Sequence, residues 1–157
     1  MKKLVVLVVV IIALLFFYLC RSTDDTTEIS EVLDQMVESG ENGMQGDLME
    51  HVSIEYRDDY GATYLIIKNV VDNFFQKFTK FDTKYENLAV SIDKSESGDN
   101  TAVANLDIHI IGYRSGAPVD ILGTEGSYQN ITVELKKNKL LGWKITKAEG
   151  FENILEE

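Results

Sequence analysis

Thr63–Phe78, TYLIIKNVVDNFFQKF, and the later Thr101–Ile111, TAVANLDIHII, decide the fold when read together. In the first, Tyr64, Ile67, Val70, Val71, Phe74, Phe75 and Phe78 return at steps of three and four, while Lys68, Asp72, Asn73 and Lys77 take the opposite side. That spacing predicts an amphipathic helix with one broad apolar stripe. In the second, Ala102, Ala104, Leu106, Ile108 and Ile110 alternate with Val103, Asn105, Asp107, His109 and Ile111. A period of two predicts a long strand with one dry and one mixed face. The stripe is the kind that packs on a sheet, so the two segments belong to one core.

Outward from this pair, Leu88, Val90 and Ile92 predict an earlier strand, closed by the turn Ser95–Asn100. Gly112–Gly126 reads as a long connection at a wide hairpin tip. Gln129, Ile131, Val133 and Leu135 mark a third strand, and Leu141, Trp143 and Ile145 a fourth beyond the turn Lys137-Asn138-Lys139. Upstream, Ile29, Val32, Leu33, Met36 and Val37 predict a helix that Ser39-Gly40 ends, and Asp47 can cap a short helix to about Val52. Helices first and an antiparallel meander afterwards is an α+β plan. Long, half-polar strands curl around the Phe-rich helix, leaving a cone-like cavity against the concave face.

The N-terminus is different in kind. Leu4–Cys20, LVVLVVVIIALLFFYLC, is an unbroken apolar run of 17 residues between Lys2-Lys3 and Arg21. As a helix it rises about 25 Å, a little under the ~30 Å hydrocarbon core, and flanking Lys3 and Arg21 can snorkel to extend it. Lysines before the run and acids after it place the N-terminus in the cytoplasm. A cleaved signal peptide wants small residues before the cut, yet the run ends Phe16-Phe17-Tyr18-Leu19. Leu19 before Cys20 is likewise a poor lipoprotein signal. A membrane anchor or signal segment over 1–21, with the uncleaved anchor favoured, a tether over 22–27 and one domain over 28–157 is the expected organisation. The expected location is a bacterial inner membrane, crossed once, with the domain in the periplasm or outside the cell.

The chain has 157 residues, a formal charge of −11, one proline and one cysteine. Disulfide scaffolds and multi-cysteine metal sites are excluded. Beyond Arg21 twelve basic residues face 26 acidic ones, so nucleic-acid binding is disfavoured. Attachment to anionic lipid surfaces is disfavoured on the same count.

The order of elements resembles the nuclear transport factor 2-like (SnoaL-like, cystatin-like fold) superfamily, in particular its bacterial membrane-tethered members. The carriers are Asp47-Leu48 through Tyr56-Arg57-Asp58-Asp59-Tyr60-Gly61, the Phe-rich helix, and the closing strand Gly142-Trp143-Lys144-Ile145-Thr146-Lys147-Ala148-Glu149-Gly150. The match spans about Glu28 to Phe151. The resemblance implies a cone-shaped domain of helices on a curved antiparallel sheet. It implies no single activity, since the superfamily holds isomerases, dehydratases, noncatalytic binding domains and secretion-system assembly domains.

The residues must choose. Asp107 and His109 share a strand face and would form an acid–base pair if that face were the concave one. The alternate face is the better core, which sends both to solvent. Asp58-Asp59 reads as a solvated turn or helix cap. His51 and His109 are too far apart in sequence for a metal site, and no cofactor motif is present. No G-x-S-x-G elbow supports a nucleophile. Trp143 is expected to close the sheet against the Phe-rich helix. Asn130-Ile131-Thr132 matches a glycosylation sequon within a strand. The candidate ligand pocket is Tyr56, Tyr60, Phe74, Phe78, His109 and Trp143. The resulting expectation is an anchored, outward-facing, noncatalytic binding or assembly domain, without metal or cofactor. Its partners would be the membrane through 4–20 and a second copy or an envelope protein. The rivals are an isomerase or dehydratase of this fold and a secretion-system-like assembly component.

Overall fold

The computed structural model describes residues 24–96 and 99–151. The apolar run at Leu4–Cys20 lies outside them. Among the described residues, no helix is long and apolar enough to cross a membrane.

Among the described residues, three helices precede five strands. Helix α1 is Asp25–Glu41, α2 is Gln45–Glu50 and α3 is Tyr64–Lys77. The strands are β1 Lys80–Asp93, β2 Thr101–Arg114, β3 Ala117–Leu122, β4 Gln129–Asn138 and β5 Gly142–Glu149. All pairings between these strands are antiparallel, in the order β1-β2-β4-β5, with β3 also on β2. The α+β plan of helices on a curved antiparallel sheet holds.

Strand β2 is the spine. Its first half pairs with β4, from Thr101↔Lys136 to Ile108↔Gln129, and its last part pairs with β3, from Ile110↔Leu122 to Arg114↔Ala117. The stretch read as a long connection therefore contains a strand. Two features hid it. Gly112 interrupts the apolar alternation, and Pro118 argues against a strand unless it lies at an edge. β3 pairs only with β2, so Pro118 loses no ladder bond on its outer side. The β2–β3 turn places Ser115 and Gly116 at φ 54° and 81°, the left-handed pair of a tight two-residue hairpin. Gly112 itself is needed for packing: a Cβ there would stand 2.6 Å from both Ile121 Cδ1 and Phe78 Cδ1.

Irregularities bend the sheet. Between Glu86 and Ala89 the β1–β2 register slips, with Asn87 at φ 56°. This bulge switches the inward set from Phe81, Thr83 and Tyr85 to Leu88, Val90 and Ile92. A second slip separates Glu134 from Leu135 on β4 against β5. Bulges increase local twist and curl a sheet toward one face. On that concave face lie Ala104, Leu106, Val133 and Leu135, each at most 3% exposed.

Helix α1 begins at Asp25, inside the stretch read as a tether, because Asp25 is held by Lys137 and Lys94. It buries Ile29 and Leu33 and packs on β1 and β5. Helix α2 starts at Gln45, so Asp47 sits within its first turn rather than at its cap.

Candidate functional site

The backbone between α2 and α3 is laid along the free edge of β5. Ser53 N–H donates to Ile145 O at 2.8 Å, and Arg57 N–H donates to Thr146 O at 3.0 Å. This brings Tyr56 and Asp58 against the end of β5. The segment then turns sharply. Asp58 Oδ1 accepts N–H bonds from Tyr60 (3.0 Å) and Ala62 (2.8 Å), an Asx-type turn made tight by Gly61 at φ 86°. The two adjacent aspartates thus part company. Asp58 is buried inside the turn, whereas Asp59 is exposed and pairs with Lys147 at 2.9 Å. The expectation of a solvated turn holds for Asp59 only.

Tyr56 is 5% exposed. Its hydroxyl meets the Asp58 carboxylate and the Ala148 backbone. Burial, then the Asp58 charge, pushes its pKa up to about 12, so the phenol stays a neutral donor across the whole physiological range. A hydrogen-bonded relay results: Tyr56 donates to Asp58, which is also held by two backbone N–H groups.

This relay lies on the wall of a cavity of about 310 Å³. α1 contributes Leu33, Met36 and Val37; α3 contributes Ile67, Val71 and Phe74; the sheet contributes Leu106, Ile108, Ile131 and Val133. Oxygen-bearing side chains on the wall are those of Tyr56, Asp58, Tyr60, Thr83, Tyr85 and Glu149. No Lys, Arg or His is among the described residues of the lining. The volume is at the lower end of small-molecule pockets, and a hydrocarbon wall with a few clustered polar groups is their usual make-up.

Of the six pocket candidates read from sequence, Tyr56, Tyr60 and Phe74 line the cavity; Phe78, His109 and Trp143 do not. Phe78 is buried below the cavity in a cluster with Phe74 and Phe81, centroids 5.9 and 5.8 Å away. Trp143 is 2% exposed. It borders a different cleft, shared with Glu28 and Val32 of α1, so it closes the sheet against α1 rather than against the Phe-rich helix.

His109 corrects an expectation. It is on the outer face of β2, yet it is only 5% exposed. Asp120 of β3 approaches its Nε2 to 2.8 Å, and the Tyr128 ring packs 5.6 Å away. The strand missing from the sequence reading supplies that cover. Asp107, its expected companion, instead accepts from Asn130 and Asn87, both at 2.8 Å, and those bonds lower its pKa. The two do not form an acid–base pair. Among the described residues no group of His, Cys, Asp and Glu side chains has metal-site geometry.

Sequence reasoning missed Tyr85 and Glu149. Tyr85 spans the cavity's side, its ring on the wall and its hydroxyl donating to Asp34 of α1 at 2.5 Å. The only signal for it was its parity with Phe81, which the bulge at Asn87 concealed.

No protein-family model matches the sequence, and no curated protein matches it either. The fold has clear relatives among solved structures. A candidate aromatic ring hydroxylase from Novosphingobium aromaticivorans superposes with a TM-score of 0.63, at 16% identity over 79% of this chain and 85% of that one. A nuclear transport factor 2-like superfamily protein from Salmonella enterica serovar Typhimurium gives 0.61, at 18% identity over 80% and 88%. A candidate dehydratase of that family from Streptomyces avermitilis gives 0.62, at 11% identity over 79% and 92%. The domain has the nuclear transport factor 2-like, cystatin-like fold.

Proposed function

We propose that this domain is a noncatalytic receptor for a hydrophobic small molecule, held by Leu4–Cys20 on the outer side of a bacterial inner membrane. The observation that carries the reading is the cavity itself, hydrocarbon-walled with its buried polar atoms concentrated at Tyr56 and Asp58. Burying an apolar ligand there contributes about 25 cal/mol per Å² removed from water. The polar end carries acceptors rather than cations: a remaining lone pair on Tyr56 and the Glu149 carboxylate, itself 2.6 Å from Lys147 Nζ, with the Asp58 charge behind them. A neutral or cationic molecule bearing a hydroxyl or amine suits it, and a fatty-acid carboxylate does not.

One observation favours a second reading, a dehydratase- or isomerase-type enzyme: a tyrosine and an aspartate adjoin inside the cavity, and some fold relatives are candidate dehydratases. Against it, Asp58 Oδ1 already accepts two N–H bonds and the carboxylate also accepts the hydrogen bond of the Tyr56 hydroxyl. A general base needs a lone pair aimed at the substrate. Mass spectrometry of small molecules released from the purified protein separates these. One apolar species, absent after Val71→Phe fills the cavity, supports the receptor. A pair differing by one water supports the dehydratase. No released species favours an envelope assembly role.

A further inference from the structure

Between Glu134 and Glu149 the chain holds five lysines, Lys136, Lys137, Lys139, Lys144 and Lys147, and no acid. In a domain this acidic, that is a local reversal of charge along the sequence, although in space Glu28 and Glu31 of α1 share a cleft with Lys137, Lys139 and Lys144. The β4–β5 hairpin tip sits inside it. Its two leading residues are the apolar Leu140, 92% exposed, and Leu141, 66% exposed. The turn is built to present them: Asn138 Oδ1 accepts both their N–H bonds, at 2.9 and 3.2 Å. Behind the tip, Lys136 stands directly opposite Lys144 in the ladder. Like charges opposed across strands destabilise a hairpin; Lys144 Nζ turns away to donate to the Glu50 carbonyl oxygen at 2.5 Å, which leaves Lys136 facing solvent. Among the described residues, Lys136 and Lys139 have no ion-pair partner, and both are exposed.

The tip's position identifies its partner. Lys137 Nζ lies 2.6 Å from Asp25 Oδ1, at the first residue of α1. Four residues, five Cα-to-Cα steps, separate Asp25 from Cys20, the end of the apolar run. Even fully extended, that stretch spans under about 18 Å. If the run is in the bilayer, the start of α1 and the base of the hairpin are held within that distance of the lipid, which puts the tip within reach of the headgroups. We propose that the Lys139–Leu141 tip docks on the anionic lipid headgroups beside the anchor, with Leu140 and Leu141 entering the interface and Lys136 and Lys139 meeting phosphates. The domain's total charge argues against lipid attachment only when averaged over its surface. Docking at this end points the far end of β2, with Ser115, away from the membrane. The inference rests on the anchor but not on any ligand in the cavity.

The test uses the full chain with Cys20→Ser, labelled with an environment-sensitive fluorophore at Leu140→Cys or, in a second protein, at Ser115→Cys. Each is reconstituted into nanodiscs of phosphatidylcholine alone or mixed with phosphatidylglycerol, with nitroxide-bearing lipids as quenchers. The expected result is a probe at 140 that is quenched in the anionic discs, more weakly in neutral ones and at high salt, and a probe at 115 that is quenched in neither. Lys136→Gln with Lys139→Gln lowers the docked-to-free ratio by about fivefold per charge, roughly 25-fold for both. Equal exposure of the two probes in both lipids overturns the proposal. So does shielding at 140 that follows protein concentration rather than lipid charge, since a second copy then covers the tip. Retention of inserted chain is verified by carbonate extraction, so a failed anchor shows as protein leaving the discs and overturns the premise separately.

Discussion

Helices α1 and α3 carry equally clear apolar stripes, yet only one of them is buried. α1 puts Ile29 at 0% and Leu33 at 7% exposure; no residue of α3 is buried. The difference lies in what faces the stripe. α1 is tied to the sheet along its length: Asp25 to Lys137, Asp34 to Tyr85, and Glu41 Oε1 to the Thr83 backbone N–H at 2.9 Å. Among the described residues, the ion pair involving α3 is internal, Lys68 with Asp72 at 3.1 Å. α3 therefore stands off from the sheet, and the space beneath it is the cavity. An apolar stripe tells which side of a helix turns inward, not whether protein or a hole awaits it.

The sharpest way to break this contrast is paired truncation. Ile29→Ala in α1 is expected to cost about 2–5 kcal/mol, as for other fully enclosed aliphatic side chains. Val71→Ala on the cavity wall loses fewer contacts and is expected to cost under about 1.5 kcal/mol. Urea unfolding measures both. Equal costs would mean that α3 is as tightly packed as α1 and that the cavity closes in solution. The reverse substitution comes next. Val71→Phe places its added volume in empty space, so stability should change by less than about 1.5 kcal/mol, whereas the same insertion into a filled core costs about 1–3 kcal/mol. Its main effect is on ligand retention, read by the released-molecule assay.

Much of this was legible beforehand, and the misses share a cause. The stripe of α3 and the alternation of β2 depend on local periodicity, which burial on one face imposes directly. Both appear where expected. The strand β3 did not, because Gly112 and Pro118 break the pattern for reasons that exist only in three dimensions: a close approach to Phe78 and an unpaired edge. The first part of β1 was obscured by the bulge at Asn87, which reverses its parity. The site suffered more. Asp58 and Asp59 are indistinguishable in sequence, and only the turn closed by the Ala62 N–H sends one inward. His109 was placed on the correct face, but its burial depends on Asp120 and Tyr128, supplied by the strand and corner that were missed.

A smaller effect tests the polar end of the cavity. Tyr56→Phe removes one hydrogen bond to a charged carboxylate while leaving the ring in place, and is expected to cost about 1.5–3 kcal/mol at most. The sign of its pH dependence is set by the raised pKa. The unfolded chain releases this proton near pH 10, the folded chain near about 12, so the contribution is intact below pH 10 and is lost between these values. Ultraviolet titration should show one tyrosine ionising last in the wild type and that late phase missing in the variant. Its persistence would mean that another phenol, such as Tyr85, whose pKa burial also raises, is the late one.

The least of these effects concerns the tie at the start of α1, and it bears on why that helix is held. Lys137, by its hydrogen bond, lowers the Asp25 pKa, and Asp25 followed by Glu28 raises that of Lys137. The Asp25 contribution is present above its unfolded value of about 3.8 and fades as pH falls through the depressed folded value. The Lys137 contribution is present below about 10.5 and fades as pH rises through the elevated one. Between those limits the pair adds a constant amount, about 1 kcal/mol or less because Lys137 is partly exposed and salt screens it. Asp25→Asn should flatten the acid limb of the stability curve, and Lys137→Gln should flatten both limbs, since it also removes the group that depresses Asp25. In amide exchange, the same variants should speed opening of the first turn of α1 while leaving α3 unchanged. Faster exchange in α3 would show that the two helices are coupled across the cavity, and that the hollow transmits what the ion pair holds.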